Sequence, residues 1–348
     1  MRVLQLGPYP PPHGGVQSNL VAIRTFLRRQ GVPCAVINIT RHRKPDADEV
    51  YYPKSASGLI QLLLRLDYDV IHLHVGGMLT QRLLGLALLC TLPRRSKSLM
   101  TFHSGGYPAS DEGKSTGPNS FAGFVLRRFD GLIGVNPQII EFFHRLGAAS
   151  DHTRLIYPHS FLSEAQLAPI LPEPLASFFR EHNPALISVG LLEPEYDLFL
   201  QIEVLAQVRQ KFPSAGLVVI GSGSLERELR GKIRACPYAE HVLLCGDVPH
   251  AITMTAISRA DLMLRTTLYD GDAVSVREAL HLGIPVIASD NGMRPAGVQL
   301  IPKSDLQALL HAIEDRLAHP TSSKAQSGSV ESNLQAVLDF YRELAGRN

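Results

Sequence analysis

Short runs of consecutive apolar residues, each closed by glycine or a polar residue, alternate along this chain with longer segments in which apolar side chains recur every three to four positions. Strands buried on both faces read as continuous apolar runs, and helices covering them read as one apolar stripe, so the alternation predicts parallel βαβ units. The first half supplies RVLQLG, CAVINI, DVIHLH, SLMTFH, GLIGVN and TRLIYP; the second supplies ALISVG, AGLVVIGSG, VLLCG, DLMLRT, PVIAS and VQLI. Each set suffices for one open parallel sheet, giving an α/β protein of two domains.

Between the sets, residues 161–184 carry Pro169, Pro172, Pro174 and Pro184. Proline at that density suits a connector, with room for a short helix over 175–182. The chain therefore divides into an N-terminal domain (1–160), a linker (161–184), a C-terminal domain (185–329) and a final amphipathic helix (330–348). That helix sets Leu334, Val337, Leu338 and Tyr341 on one face and must bury them; crossing back to the N-terminal domain is one way to do so.

At 348 residues, 45% hydrophobic and 19% charged, the composition is that of a soluble globular protein. A formal charge of +2 gives no field that would draw a nucleic acid. Two basic clusters, Arg41 to Lys44 and Arg94, Arg95 with Lys97, either touch an anionic membrane surface or form solvated turns. Cys34, Cys90, Cys236 and Cys245 are too scattered for a zinc or redox motif, which fits a reduced cytoplasm. No apolar run approaches the roughly 18 residues a membrane span needs. No secretory leader is evident. The expected location is cytoplasmic, with peripheral contact at the inner membrane face as an option.

In open parallel sheets, ligands bind beyond the carboxyl ends of the strands, so residues that follow strands carry the chemistry. After the first strand, Gly14 and Gly15 open a helix, either letting a phosphate approach its N–H groups or simply turning the chain. Gly221, Ser222 and Gly223 pose the same alternative before a helix that the Ser224 hydroxyl can cap. The segment LRTTLYDGDAVSVREALHLGIPVIASD is more specific. It sets Asp270 in an acidic glycine loop and Glu278 inside a short helix over 274–282. The N–H groups of Gly271, Asp272, Ala273 and Val274 lie between the two acids, an arrangement suited to a diphosphate flanked by hydroxyl-bearing sugars. Alternatively, Asp270 and Asp272 cap the helix and Glu278 makes an ion pair. His103 leaves a strand toward Ser104, Gly105 and Gly106, and an ordinary histidine pKa suits proton handling there. His72 and His74 are read as facing opposite sides of their sheet, so that they do not share a metal. The G-x-G-x-x-G dinucleotide fingerprint is absent.

Taken in order, HGGVQSNL, TFH, ISVGLLEPEYDL, IGSGSLERELR, YDGDAVSVREALHLGIPVIASD and the final YREL make the chain resemble the retaining glycosyltransferases of family 4. The resemblance spans nearly the whole chain. It implies the GT-B architecture, two Rossmann-like domains whose parallel sheets face a central cleft. It further implies a nucleotide-sugar donor, UDP-linked, on the C-terminal domain and a glycan or lipid-linked acceptor entering through N-terminal loops that include residues 104–121. No cofactor or metal is implied. By the same resemblance, Glu278 holds the nucleotide ribose and Asp270 binds donor-sugar hydroxyls. Gly14 and Gly15 approach the diphosphate, and His103 sits beside the donor sugar.

One departure is marked. Where the family carries glycine, arginine and, several residues on, glutamate and lysine, this chain has Gly190, Leu191, Glu195 and Tyr196. Two cations that neutralise a diphosphate are missing, so Arg265 or Arg294 is expected to replace them. The departure also keeps open a silent nucleotide-sugar binder, or another GT-B enzyme such as an epimerase, beside a transferase of cell-envelope or exopolysaccharide synthesis.

Overall fold

The computed structural model describes residues 1–10, 14–40, 48–93, 95–158, 170–269, 273–319 and 331–346. The chain forms two compact units, Met1–Ser160 with Ser329–Asn348, and Phe161–Gly328.

In the first unit, β1 (Val3–Gly7), β2 (Cys34–Asn38), β3 (Val50–Tyr51), β4 (Val70–Val75), β5 (Lys97–Phe102), β6 (Gly131–Gly134) and β7 (Thr153–Leu155) form one parallel sheet. Their order is β3-β2-β1-β4-β5-β6-β7. The intervening helices are α1 (Gly15–Arg29), α2 (Ala56–Arg65), α3 (Gln81–Cys90), α4 (Gly106–Ala109), α5 (Asp111–Ser115), α6 (Phe121–Leu126) and α7 (Pro137–Arg145). Local signals start several of them: the Asn136 side chain accepts from the Ile139 N–H, and Pro137 occupies the first turn of α7, where a missing N–H costs nothing. Half of the segment expected to form acceptor loops, 104–121, is helical, in α4 and α5.

The second unit contains α8 (Leu175–Glu181), β8 (Ala185–Val189), α9 (Leu198–Lys211), β9 (Gly216–Ile220), α10 (Glu226–Arg234), β10 (Val242–Gly246), α11 (His250–Arg259), β11 (Leu262–Arg265), α12 (Val274–His281), β12 (Val286–Ser289), β13 (Gln299–Ile301) and α13 (Leu306–Ala318). Its strands are again parallel, in the order β10-β9-β8-β11-β12-β13. The late part of the proline-rich segment is not a free connector: Leu175 and Phe178 of α8 are buried in this unit's core.

Both sheets thus have Rossmann-like order, reversing between β1 and β4 in one and between β8 and β11 in the other. Every run named from the sequence is a strand. Only the two-residue β3, too short to leave a pattern, is additional among the described residues. Each sheet is covered on both faces by a separate apolar cluster.

The helix α14 (Glu331–Gly346) belongs to the first unit. Its Leu334, Val337, Leu338 and Tyr341, with Phe340 and Leu344, pack against Val3, Ile23, Leu27, Val70, Leu99 and Ile133. Burying side chains of this size stabilises by about 1.5 to 3 kcal/mol each, which explains why the stripe docks on the sheet.

Candidate active site

In the second unit the strand order reverses between β8 and β11, and the loops leaving the carboxyl ends of β8 and β9 are tightly joined. Gly190 N–H donates to Ile220 O at 3.0 Å, Leu192 N–H to Ser222 O at 3.0 Å, and Leu225 N–H to Leu192 O at 2.9 Å. The glycines make this approach possible. A Cβ on Gly221, whose φ is +136°, would lie 1.8 Å from Gly190 O, and one on Gly223 would lie 2.5 Å from Leu192 O. Ser222 Oγ donates to Asp247 at 2.8 Å. Ser224 does not cap α10 as expected. Its N–H donates to Glu193 at 2.8 Å and its hydroxyl donates to the same carboxylate, which these bonds hold below the usual carboxylate pKa.

Arg265 ends β11 and is 6% exposed. Its Nη1 donates to Val189 O at 2.7 Å, and its guanidinium lies 4.6 Å from the Tyr196 ring centroid. Tyr196 stands where the family resemblance expects lysine, so a cation does reach this place, carried by a neighbouring strand. Gly190 completes the fit: a Cβ there would come 2.2 Å from Tyr196 Cε1 and 2.7 Å from Arg265 Nη1. Arg294 lies at the carboxyl ends of β11 and β12, donating from Nε to Ser289 O at 3.0 Å and from Nη2 to Thr267 Oγ1 at 2.6 Å.

The helix α12 begins at Val274 with Ala273 at its N-cap, and Ser275 Oγ donates to Val189 O at 3.3 Å, tying the helix start to the end of β8. Asp270, Gly271 and Asp272 lie outside the described residues. Glu278, 3% exposed, receives a 2.6 Å hydrogen bond from Nε2 of His250, the first residue of α11. Burial opposes charge on His250, but the hydrogen bond to Glu278 and its negative charge outweigh burial and raise the imidazole pKa above its ordinary value. Sequence reading missed His250. The signal was available, because Asp247 and His250 follow β10 as the other candidates follow their strands.

In the first unit, Gly14 is the N-cap of α1 and Gly15 its first residue. Gly14 has ordinary extended backbone, φ −154° and ψ 170°, and provides no side-chain cap for the helix. Its conformation therefore does not demand glycine.

His103 follows β5, its N–H donating to Val75 O at 2.7 Å. Its ring stacks on His74, with His103 Nε2 and His74 Nδ1 3.4 Å apart. The expectation that His72 and His74 face opposite sides is wrong: residues two apart on a strand share a face, and these ring centroids are 4.0 Å apart. Each ring has protein partners at both nitrogens. His72 Nδ1 meets Tyr341 Oη at 2.6 Å and its Nε2 meets Thr101 Oγ1 at 2.7 Å, while His74 Nε2 meets Gln5 Oε1 at 2.9 Å. Burial pushes His72 and His103 down to about 3 and His74 well below the usual value, with neighbouring histidines adding to the effect at His72 and His74. His103 is accordingly neutral near pH 7, so the ordinary imidazole pKa expected there is not kept. Among the described residues no group of three or more His, Cys, Asp or Glu is placed to hold a metal ion.

Of the basic clusters, residues 41–44 and Arg94 lie outside the described residues. Arg95 and Lys97 line a cleft of about 750 Å³ with Arg128, Asp69 and Asp130, where Lys97 lies 3.7 Å from Asp130. No helix among the described residues is long and apolar enough to cross a membrane.

Comparison with known proteins bears on this geometry. The family model "Glycosyl transferase 4-like domain" matches residues 1–159 and "Glycosyl transferases group 1" matches residues 174–321. The amylovoran biosynthesis glycosyltransferase AmsK of Erwinia amylovora is 29% identical over 141 residues, 37% of this chain and 35% of its own. The GDP-mannose-dependent alpha-(1-6)-phosphatidylinositol monomannoside mannosyltransferase of Mycolicibacterium smegmatis is 24% identical over 156 residues, 41% of this chain and 41% of its own. The matches therefore span well under half the length of these two curated relatives. Anabaena HepE, solved in complex with UDP and glucose, superposes with a TM-score of 0.69 at 16% identity, over 99% of this chain and 100% of that chain. With glycosyltransferase domain models matching both halves of the sequence and a whole-chain match in fold, the chain belongs to the GT-B glycosyltransferases.

Proposed function

We propose that this protein transfers a sugar from a nucleotide diphosphate donor to a hydroxyl of a carbohydrate or lipid-linked acceptor, with retention of anomeric configuration and without a metal. The observation that carries the reading is Arg265 lying over the ring of Tyr196 at the sheet reversal. It supplies positive charge where the family's lysine is absent, and Arg294 adds a second guanidinium at the carboxyl ends of β11 and β12. In this reading the diphosphate binds the two arginines and the N-terminus of α12. Glu278 meets the ribose hydroxyls, and Asp270 and His103 meet the donor sugar. The Gly14–Gly15 helix start offers further N–H groups. The protein contributes positioning and stabilisation of the departing diphosphate, while the acceptor proton passes to the leaving phosphate.

A role in envelope or exopolysaccharide synthesis is supported by the likeness to AmsK. The donor nucleotide is UDP in our reading. HepE is described with UDP, whereas the mannosyltransferase relative is described as GDP-mannose-dependent, so both must be assayed. The test is release of free nucleotide from UDP- and GDP-linked sugars, with and without acceptor glycans or lipid-linked glycans. Release that accelerates with acceptor supports transfer. Tight donor binding with no turnover overturns it in favour of a silent nucleotide-sugar module.

A further inference from the structure

Two histidines of the first unit, His103 and His74, form a hydrogen-bonded row with Gln5 and Cys34. Gln5, fully buried on β1, points its amide Nε2 at Cys34 Sγ, 3.1 Å away. The Cys34 thiol directs its own proton toward Ala35 O at 3.9 Å, leaving sulfur to accept. Burial pushes that thiol up to about 11, so it remains protonated. The other end of the Gln5 amide, Oε1, can only accept, and it lies 2.9 Å from His74 Nε2. His74 Nε2 must therefore carry the proton. Fully buried and held neutral, His74 then has a bare Nδ1, which accepts from His103 Nε2 at 3.4 Å. His103 is neutral as well, so its remaining ring atom, Nδ1, carries a lone pair and no proton. No described residue hydrogen-bonds to that Nδ1.

We propose that the row His103 to His74 to Gln5 to Cys34 fixes the tautomer of His103, so that this residue presents Nδ1 as an obligate hydrogen-bond acceptor. The group it meets in a ligand must donate. On the sugar-transfer reading, that group is a hydroxyl of the donor sugar, and His103 serves as a neutral acceptor rather than a proton donor to the leaving group. His74 and Gln5 are positioning residues: each acts through the next ring rather than on substrate. Neutral imidazole has one donor and one acceptor, and whichever nitrogen is bound from behind decides what the other offers in front.

Two measurements test this. Long-range proton–nitrogen correlation spectra of the full chain, labelled at histidine and recorded near pH 7, should show both His74 and His103 as Nε2–H tautomers. Nδ1–H tautomers at these two positions, the result of a reversed Gln5 amide, overturn the proposal. This readout requires no turnover, so it decides the proposal even if the protein transfers no sugar. The second measurement compares His103→Asn, whose amide oxygen falls near the Nδ1 position, with His103→Gln, whose oxygen falls nearer Nε2. His103→Asn should retain at least about tenfold more transfer than His103→Gln, the worth of one hydrogen bond of ordinary strength. Equal losses, or a better His103→Gln, count against an acceptor at Nδ1. For the positioning role, Gln5→Leu should give mixed tautomers at His103 and about tenfold lower turnover with nucleotide affinity unchanged. An unaltered His103 tautomer in that variant removes Gln5 from the row.

Discussion

Glu278 Oε1 lies 2.6 Å from His250 Nε2, so the carboxylate assigned to the nucleotide ribose is already paired with a base from the preceding helix. A buried carboxylate needs such a partner, and a charged hydrogen bond of this kind contributes about 1.5 to 3 kcal/mol. The His250 pKa is raised in the folded protein. Its contribution is therefore complete below the unfolded histidine value, about 6.5, and declines as pH rises through the raised one. His250→Gln should lose most stability relative to the parent at pH 6 and progressively less toward pH 9, measured as urea midpoints. A deficit independent of pH would mean that the pair is not ionic.

His72 makes the opposite prediction. Burial and the nearby His103 hold it down to about 3, so between pH 6.5 and 3 the unfolded chain takes up a proton that the folded chain refuses. Stability should fall with acid across that window, by about 1.4 kcal/mol per pH unit for this one residue. Urea unfolding at pH 4, 5 and 6 should show a shallower pH slope for His72→Gln than for the parent. An unchanged slope places the acid sensitivity elsewhere.

Arg265→Met keeps an unbranched side chain near Tyr196 but removes the charge. It should weaken binding of a nucleoside diphosphate by about tenfold to a hundredfold, the worth of a charge-assisted hydrogen bond. Binding of the corresponding nucleoside, which lacks phosphates, should change little. Isothermal titration with both ligands separates a phosphate contact from general damage, since damage would weaken the two alike.

Gly221→Ala asks for a Cβ 1.8 Å from Gly190 O at a φ of +136°. No rotamer relieves a clash with backbone, so the loops after β8 and β9 must part. Destabilisation of about 2 kcal/mol or more is expected in denaturant titration, with weakened nucleotide binding. Gly14→Ala, facing only the movable end of Gln17, should cost far less.

The sheets were legible because parallel strands buried on both faces leave uninterrupted apolar runs, and each of those runs is a strand. β3 was not, since two residues make no pattern. Side-chain direction was harder. His72 and His74 share a face, and the stride of a strand already says so. Ser224 sits where a helix cap belongs yet bonds to Glu193, a partner 31 residues away that local reading cannot supply. His250 does follow a strand, as the other candidates do, but its partner is a carboxylate 28 positions on, which local reading cannot name. Arg265 was named as a replacement cation, but its stacking on Tyr196 depends on two strands and a loop meeting.

The docking of α14 on the first sheet has a consequence for biogenesis. A nascent polypeptide leaving the ribosome has made β1 through β7 long before residues 331–346 are translated, and until then Val3, Val70, Leu99 and Ile133 lack part of their cover. The second unit, contiguous in sequence, has all its parts sooner. Order of synthesis and order of maturation are thus reversed for the two units, and the earlier-made sheet is the one that a chaperone has most reason to hold.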